Sequence, residues 1–171
     1  MFLIKSKDKM KYLKQNPFVF FPVVTLLAGQ LSSFISFLCF PFNPNNHLLN
    51  YPIIYPPTWL FIVVWLILYP CMGISMAYIY KIRNQMDITG TLSSYILLLT
   101  SNIIFLPIMN ISKGNPAIMT FLDFNGIVYA YIFSWLCYKY SKTAFYWSLP
   151  LTFWMPITFL LKVALWILNA Q

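Results

Sequence analysis

Three polar side chains interrupt the apolar segments of this 171-residue sequence, and their types are the ones best suited to chemistry. Asn102 lies midway along one segment, Asp123 lies about two turns into the next, and Lys162 lies near the end of the last. Polar side chains inside a membrane are costly, and they are usually paired or functional. We expect Asp123 to face the interior and Asn102 to bond backbone groups freed by Pro107. The long side chain of Lys162 is expected to extend its ammonium group to the membrane interface.

Aromatic residues make up 20% of the chain, and two tryptophans lie unusually deep within apolar segments. Trp65 and Trp154 are eight to nine residues from the ends of their segments, about 12 Å by helical rise. Trp65, Tyr69 and Gly73 share one helical face, and Pro150 and Trp154 share another. A groove beside Gly73 would admit a flat ligand. Ordinary helix packing is the alternative interpretation, and the spacing leaves both open.

The sequence lacks the residue patterns of the common enzyme and metal sites. His47 is the only histidine, which excludes a bis-histidine haem site or a histidine-based catalytic triad within one chain. No phosphate-binding loop, glycine-rich fingerprint or carboxylate pair occurs. The three cysteines, Cys39, Cys71 and Cys137, are far apart and odd in number, so neither a disulfide framework nor a zinc site is predicted. No metal or cofactor is predicted, and any chemistry must use an apolar, aromatic cavity.

The composition predicts an integral membrane protein. Apolar residues make up 60% of the chain and charged residues 8%, against roughly 45–50% and about 25% in soluble domains. The excess apolar surface is expected to face lipid. The net charge of +8 would fit nucleic-acid binding in a soluble protein. Because the basic residues cluster at the edges of apolar runs, the lipid bilayer is the predicted partner and nucleic acid is not.

The apolar segments predict an all-α fold, a bundle of five transmembrane helices. Each segment has about the 20 residues that a hydrocarbon core of ~30 Å requires. Asn115 is a plausible cap for the fourth helix, with Pro116 in its first turn. We expect a basic cytosolic tail over residues 1–16 and a transmembrane domain over 17–171. The predicted helices span about 17–41, 57–80, 91–111, 116–138 and 145–168.

Basic residues predict the orientation of the bundle. Nine of them fall on the side of the N-terminal tail, whereas Lys113 alone falls on the opposite side. This asymmetry predicts a cytosolic N-terminus. A bacterial inner membrane and an organelle membrane both fit. The one long loop, residues 42–56, lies on the far side, either as a lid over the bundle or as a simple exposed connection.

Small residues recur four apart on three of the predicted helices. Such stripes allow helices to approach closely in lipid, where no hydrophobic force drives their association. We therefore interpret them as packing residues. They are Ala28, Ser32 and Ser36 on the first helix, Gly73 and Ala77 on the second, and Gly126, Ala130 and Ser134 on the fourth.

The second apolar segment carries a motif of prolines, aromatic residues and a glycine. It reads YPIIYPPTWLFIVVWLILYPCMGISMAYIYK from Tyr51 to Lys81. This resembles the signature of the TspO/MBR family, the tryptophan-rich sensory proteins and translocator proteins (formerly peripheral benzodiazepine receptors). The matching positions are Pro52, Pro56, Pro57, Val64, Trp65, Leu68, Tyr69, Met72 and Gly73.

The resemblance extends over roughly residues 20–169. Asn102 falls where the family has a third-helix asparagine, and Asp123 falls where it often has an acidic residue. In the last segment the matches are Pro150, Trp154, Leu161, Trp166 and Asn169. The chain departs from the pattern at Tyr51, Ile54, Phe105, Leu151 and Lys162, where the family has lysine, tryptophan, tryptophan, tyrosine and asparagine respectively.

The resemblance implies a five-helix bundle, often a homodimer, with a pocket closed by the first loop. It implies flat or apolar ligands such as porphyrins, haem, sterols including cholesterol, and synthetic benzodiazepine-type drugs. The leading hypothesis is a membrane-embedded binding or regulatory protein. One alternative is an enzyme that degrades porphyrin in light through Trp65 and Trp154, and another is a small transporter. The predicted ligand-binding residues are Trp65, Tyr69, Gly73, Asn102, Asp123, Pro150 and Trp154.

Overall fold

The computed structural model describes residues 16–39 and 49–170. The predicted basic tail lies almost entirely outside this part of the chain, as do His47 and the first half of the long loop. The orientation of the bundle relative to the cytosol therefore stays a prediction. The end of the bundle at which residues 49–57 lie is called the loop end.

The described residues form five helices and contain no strand. All five are long and apolar enough to cross a membrane. The predicted all-α, five-helix membrane bundle is therefore confirmed, with helix ends that differ from the predicted ones by up to three residues. The helices are α1 (Pro17–Cys39), α2 (Thr58–Lys81), α3 (Thr89–Ile111), α4 (Pro116–Tyr140) and α5 (Lys142–Leu168).

The helices pack in a ring whose order differs from their order in the chain. Helix α1 packs against α2 and α3, α2 packs against α5, and α4 packs between α3 and α5. The order around the ring is therefore α1, α2, α5, α4, α3. Helices α2 and α5 are distant in the sequence but adjacent in space, and the residues of the candidate site lie near their shared seam.

The connection between α3 and α4 shows why these helices begin and end where they do. Gly114 adopts a left-handed conformation with φ of 73°, and its N–H donates to the carbonyl of Met109 at 2.8 Å. This closes the end of α3. The Asn115 side chain then accepts from the backbone N–H of Ala117 at 3.0 Å, as predicted for a helix cap. Pro116 follows at the first helical position, where no N–H partner is needed.

The seam between α1 and α3 repairs a backbone defect that a proline creates. Pro107 cannot donate to the carbonyl of Ile103, four residues earlier. The buried Ser32 hydroxyl on α1 donates to that carbonyl instead, at 2.6 Å. We predicted that Asn102 would bond such freed groups, and this was wrong, because its amide donates to the carbonyl of Leu98 at 2.9 Å. The small-residue stripe of α1 therefore supplies a hydrogen bond as well as close packing.

Buried hydroxyl groups also join α2, α4 and α5 at the end opposite the loop end. The Ser75 hydroxyl donates to the carbonyl of Ala144 at 2.6 Å and lies 3.3 Å from the Cys137 thiol. Ser134 and Ser148 share a hydrogen bond of 2.8 Å. Because lipid offers no competing hydrogen-bond partners, these bonds help to fix the relative positions of the three helices.

Gly73 marks the closest approach of α2 to α1. A Cβ atom at this position would lie 2.4 Å from the Cα of Pro22 and 2.7 Å from the carbonyl carbon of Phe21. Both are backbone atoms, which cannot move aside as a flexible side chain can. The space beside Gly73, for which a ligand groove was one of two interpretations, is therefore occupied by α1. The structure supports the packing interpretation of Gly73 and not the ligand-binding one.

This close approach predicts opposite effects of the same substitution at two helical glycines. Gly73→Ala should lower the free energy of unfolding by about 1–3 kcal/mol, because the α1 backbone must move. Gly90→Ala is the matched control, since a Cβ there meets nothing within 4 Å, and it should raise stability by roughly 0.5–1 kcal/mol. Thermal unfolding of both variants in detergent measures the difference, and equal midpoints would contradict the packing described for α1 and α2.

Candidate functional site

Two oppositely charged side chains lie at the same level inside the bundle, toward the loop end. Lys162 lies six residues before the last residue of α5, and Asp123 lies seven residues after the first residue of α4. The two helices run antiparallel and pack together, so both residues are about 9–10 Å from the same end. Each side chain is only 7% exposed. A buried lysine and a buried aspartate therefore share one membrane-embedded region.

Aromatic rings surround the Lys162 ammonium group. It donates to the Tyr55 hydroxyl at 2.9 Å and lies 5.3 Å from the centre of the same ring. The centres of the Phe61 and Phe105 rings lie 5.4 and 6.0 Å away. These distances allow cation–π attraction to rings from the loop, α2 and α3. The ammonium group does not extend outward to solvent, and the expected position of Lys162 is corrected accordingly.

The Asp123 carboxyl group faces the bundle interior, as expected. Lys162 is the charged neighbour that acts on it, and the Thr158 hydroxyl, one turn before Lys162 on α5, lies within hydrogen-bonding reach. That hydroxyl also donates to the carbonyl of Met155 at 2.9 Å. Its single hydrogen cannot serve both acceptors at once. The Oδ2 atom of Asp123 is buried and has no hydrogen-bond partner within the described ranges.

Trp154 lies one turn further into the bundle than Thr158. Its ring meets Phe61 edge to face, with centres 5.9 Å apart and planes at 67°. The indole N–H is buried and, like Asp123 Oδ2, has no hydrogen-bond partner among the residues that the structure describes. Buried polar atoms are usually satisfied, so each such atom calls for an explanation. Here the unpartnered donor is on Trp154, which contacts one of the rings around Lys162, and the unpartnered acceptor is on Asp123, the charged neighbour of Lys162.

Trp65 and Tyr69 lie on the neighbouring part of α2 and face α1. Their ring centres are 5.1 Å apart. The Tyr69 ring packs directly onto Gly29, where an added Cβ would come within 2.1 Å of it. Trp65 lies one turn beyond Phe61, so Trp65 and Trp154 contact different rings of α2. Trp65 and Trp154 therefore lie on different sides of the same group of aromatic rings.

Residues 50–55 of the loop are fastened to the end of α5. Asn50 donates its backbone N–H to the Asn169 side chain at 2.9 Å, and the Asn169 amide donates back to the Asn50 carbonyl at 3.0 Å. Tyr55 accepts from Lys162, which lies two turns before Asn169. Partial burial and the nearby Tyr55 raise the pKa of the Tyr51 hydroxyl. Of the two interpretations left open for the loop, these contacts favour the lid over the simple exposed connection.

The seven predicted ligand-binding residues do not form one cluster. Asp123 and Trp154 lie at the site just described, and Trp65 and Tyr69 border it. Gly73 instead lies at the seam between α1 and α2, and Asn102 lies at the seam between α1 and α3. Pro150 is exposed on the outer surface of α5, so its predicted place in a groove with Trp154 is corrected.

Sequence reasoning missed half of the site. It did not include Lys162, because a long side chain near a helix end usually reaches the interface. A signal was nevertheless present, since Asp123 and Lys162 lie at matching depths on consecutive antiparallel segments. Nothing in the sequence shows which rings surround the ammonium group. The site residues that were missed are Tyr55, Phe61, Phe105, Thr158 and Lys162.

The arrangement offers aromatic and polar groups of the kinds that contact ligands, but no metal site among the described residues. Within residues 16–39 and 49–170, no three histidine, cysteine or acidic side chains are grouped to hold a metal ion. Aromatic faces, one ammonium group, one carboxyl group and one indole N–H are available at the site. Together with five membrane-spanning helices, these features define a multi-pass integral membrane protein with an interior, loop-covered polar and aromatic site.

Comparison with known families agrees with this class. The model of the TspO/MBR family matches residues 18–167, nearly all of the chain. The chain therefore belongs to the TspO/MBR family, and the resemblance seen in its motifs is confirmed. A search of curated individual proteins found no match. Family membership supports a membrane ligand-binding or transport role in general.

The clamp between Asn169 and Asn50 predicts a local effect on the loop. Asn169→Ala removes both bonds to Asn50 and should increase amide hydrogen exchange of residues 50–55 severalfold. Asn125→Ala is the matched control, because the amide of Asn125 donates only to Phe121 in its own helix, at 2.8 Å. Exchange measured by mass spectrometry in detergent should change for the first variant only. Equal exchange in both would show that the loop is held by other contacts.

The buried charges predict energetic coupling between α4 and α5. Lys162→Met leaves Asp123 without its countercharge, and Asp123→Asn removes a countercharge of Lys162. Each should cost about 1–3 kcal/mol of unfolding free energy. The double variant should lose less than the sum of the two, by about 1 kcal/mol. Unfolding by SDS in mixed micelles measures this cycle, and strict additivity would mean that the charges do not interact.

Proposed function

We propose that this protein binds tetrapyrroles, or other flat hydrophobic molecules such as sterols, at the site beneath residues 49–57. Its role is that of a membrane-embedded binding or regulatory protein. The observation that carries the proposal concerns Asp123 Oδ2 and Trp154 Nε1, two of the three buried polar atoms that have no hydrogen-bond partner within the described residues. Trp154 contacts Phe61, and Asp123 is the charged neighbour of Lys162. A ligand with a matching donor and acceptor would satisfy both.

The aromatic rings supply the apolar part of such a site. Phe61 contacts Trp154 on one side and Tyr55 on the other, with Tyr55 at 5.8 Å between ring centres. Flat π-systems stack favourably on faces of this kind. A few polar groups in an otherwise apolar pocket then fix the orientation of the ligand. A planar macrocycle has both the apolar faces and the ring nitrogens that this arrangement would accommodate.

Ligand entry requires the loop to move. The rings of Tyr55, Phe61 and Trp154 pack against one another, so a macrocycle must separate them. The described contacts between the loop and α5 are polar at Asn50 and Tyr55, and both reach only the last two turns of α5. Breaking these bonds and separating the Tyr55 ring from Phe61 would release the loop without breaking a contact between helices. We propose that this is the route by which ligand reaches the site.

Binding is favoured over light-driven degradation. Trp65 contacts Tyr69 and Trp154 contacts Phe61, so the two tryptophans face different parts of the aromatic region. A degradation reaction would need both indoles at one macrocycle, a requirement beyond the ring separation that binding already needs. The buried charges of the described residues that bear on transport are Asp123 and Lys162. Both lie at the same depth in the bundle. Homodimer formation, implied by the family, stays a prediction.

Titration with protoporphyrin in the dark tests the proposal. Tryptophan emission should fall in a saturable manner as the ligand binds. Trp154→Phe should remove part of this quenching and weaken binding about 5- to 30-fold, since about 1–2 kcal/mol of contact is lost. Trp135→Phe is the matched control, because Trp135 is 63% exposed on the outside of α4. Quenching without saturation, or equal effects of the two variants, would place the ligand elsewhere.

Illumination of the complex separates binding from degradation. We expect bound protoporphyrin to bleach at the same rate in the wild type, Trp65→Phe and Trp154→Phe, because binding alone needs no indole oxidation. Absorbance of the bound macrocycle and mass spectrometry of the products measure this. A faster loss in the wild type that disappears in either variant would instead establish the enzyme hypothesis.

A further inference from the structure

The Lys162 ammonium group has more hydrogen-bonding capacity than its surroundings use. It carries three N–H donors, and Tyr55 accepts one of them. The ring faces of Tyr55, Phe61 and Phe105 offer diffuse attraction but no lone pairs. Inside a membrane, no bulk water supplies acceptors for the remaining N–H groups. Two donors are therefore available to a group that enters the site.

We propose that Lys162 makes the site selective for flat apolar ligands that carry a carboxylate, and that this carboxylate replaces the Tyr55 hydroxyl on the ammonium group. The inference rests on the proposed function, because it assumes that a flat ligand binds beneath the loop. It assigns a specificity role to the position at which this chain has lysine and the family pattern has asparagine.

The ammonium group of Lys162 prefers a carboxylate to the tyrosine hydroxyl because the carboxylate is negatively charged. A hydrogen bond between two ionised groups is shorter and roughly twice as strong as one between neutral groups. A carboxylate also offers two oxygens, so it can engage the donors that Tyr55 leaves unused. An ester of the same acid lacks the charge but keeps the size, planarity and apolar faces. The acid and its ester therefore differ mainly in what Lys162 recognises.

Asp123 opposes this preference but does not cancel it. Coulomb energy falls with distance, and the entering carboxylate would lie in direct contact with the ammonium group. Its repulsion from Asp123 acts over a longer path. Asp123 also keeps Lys162 compensated when no ligand is bound. The other basic side chains on the described helices and turns are exposed, so none competes with Lys162 for the ligand inside the bundle.

Exchange of partners at Lys162 would couple ligand binding to the loop. Tyr55 is one of two polar anchors of the loop on α5, and Asn50 is the other. Once a carboxylate takes the ammonium group, the contact of Asn169 with Asn50 is the one polar anchor of the described loop residues that remains on α5. The loop end of the bundle would then be more mobile with an acidic ligand than with a neutral one.

Protoporphyrin and its dimethyl ester provide the test in purified wild-type protein. The acid should bind roughly tenfold more tightly than the ester, as expected for a hydrogen bond to a charged group. In Lys162→Met this ratio should fall to one or below, because only the repulsion from Asp123 remains. In Lys162→Arg it should persist, because arginine keeps the charge. Comparing the ratio between variants cancels the different partitioning of acid and ester into detergent.

Two further variants make the outcome specific. Lys139→Met is the matched control, because Lys139 also lies over a tyrosine ring, that of Tyr140 at 5.3 Å, but is exposed. It should keep the wild-type ratio. Tyr55→Phe removes the competing acceptor and keeps the ring, so it should strengthen binding of the acid severalfold and leave that of the ester unchanged.

The possible failures are distinguishable. If acid and ester both bind saturably with equal affinity, or if Lys162→Met keeps the preference, the role of Lys162 is wrong while the proposed function stands. If neither form binds saturably to the wild type, the proposed function itself fails. If Lys162→Met weakens acid and ester by the same factor, Lys162 only fastens the loop.

Discussion

The burial of one ammonium group constrains the whole loop end of this bundle. An uncompensated charge in a membrane interior is expensive, so Lys162 requires partners from every direction. The loop supplies a hydroxyl and a ring through Tyr55, α2 and α3 supply rings, and α4 supplies the opposite charge at Asp123. A segment that connects α1 to α2 is thereby fixed to α5. The position of Tyr55 over the loop end of the bundle follows from this requirement.

Backbone satisfaction imposes the second constraint, at the seams between helices. Lipid offers no water to a carbonyl that a proline has freed, so another part of the protein must supply the donor. Ser32 does this for Ile103 across the α1–α3 seam. A serine stripe is small enough for close packing and polar enough to repair such defects. At the seam between α1 and α2, Gly73 allows the two backbones to touch because glycine has no side chain.

The sequence determined the helices well because a membrane span is set by length and hydropathy, and caps such as Asn115 are local. The site was only partly predictable. Asp123 was identified because a charged side chain is costly inside a membrane, and Trp154 because it lies deep in its helix. Gly73 and Pro150 were assigned from spacing alone. Spacing gives a shared helical face but not the neighbour that covers it. That neighbour depends on the ring order, in which α5 lies between α2 and α4.

Membrane location also decides which interactions can give this site selectivity. A hydrophobic ligand dissolved in lipid leaves one apolar environment for another, so burial of its apolar surface contributes little to affinity. Ring stacking and polar recognition must supply the difference. The described site has three polar features for this purpose, the Lys162 ammonium group, Asp123 Oδ2 and the Trp154 indole N–H. On the proposal that Lys162 recognises a ligand carboxylate, a change at this one position would alter ligand preference while the five-helix scaffold stays the same.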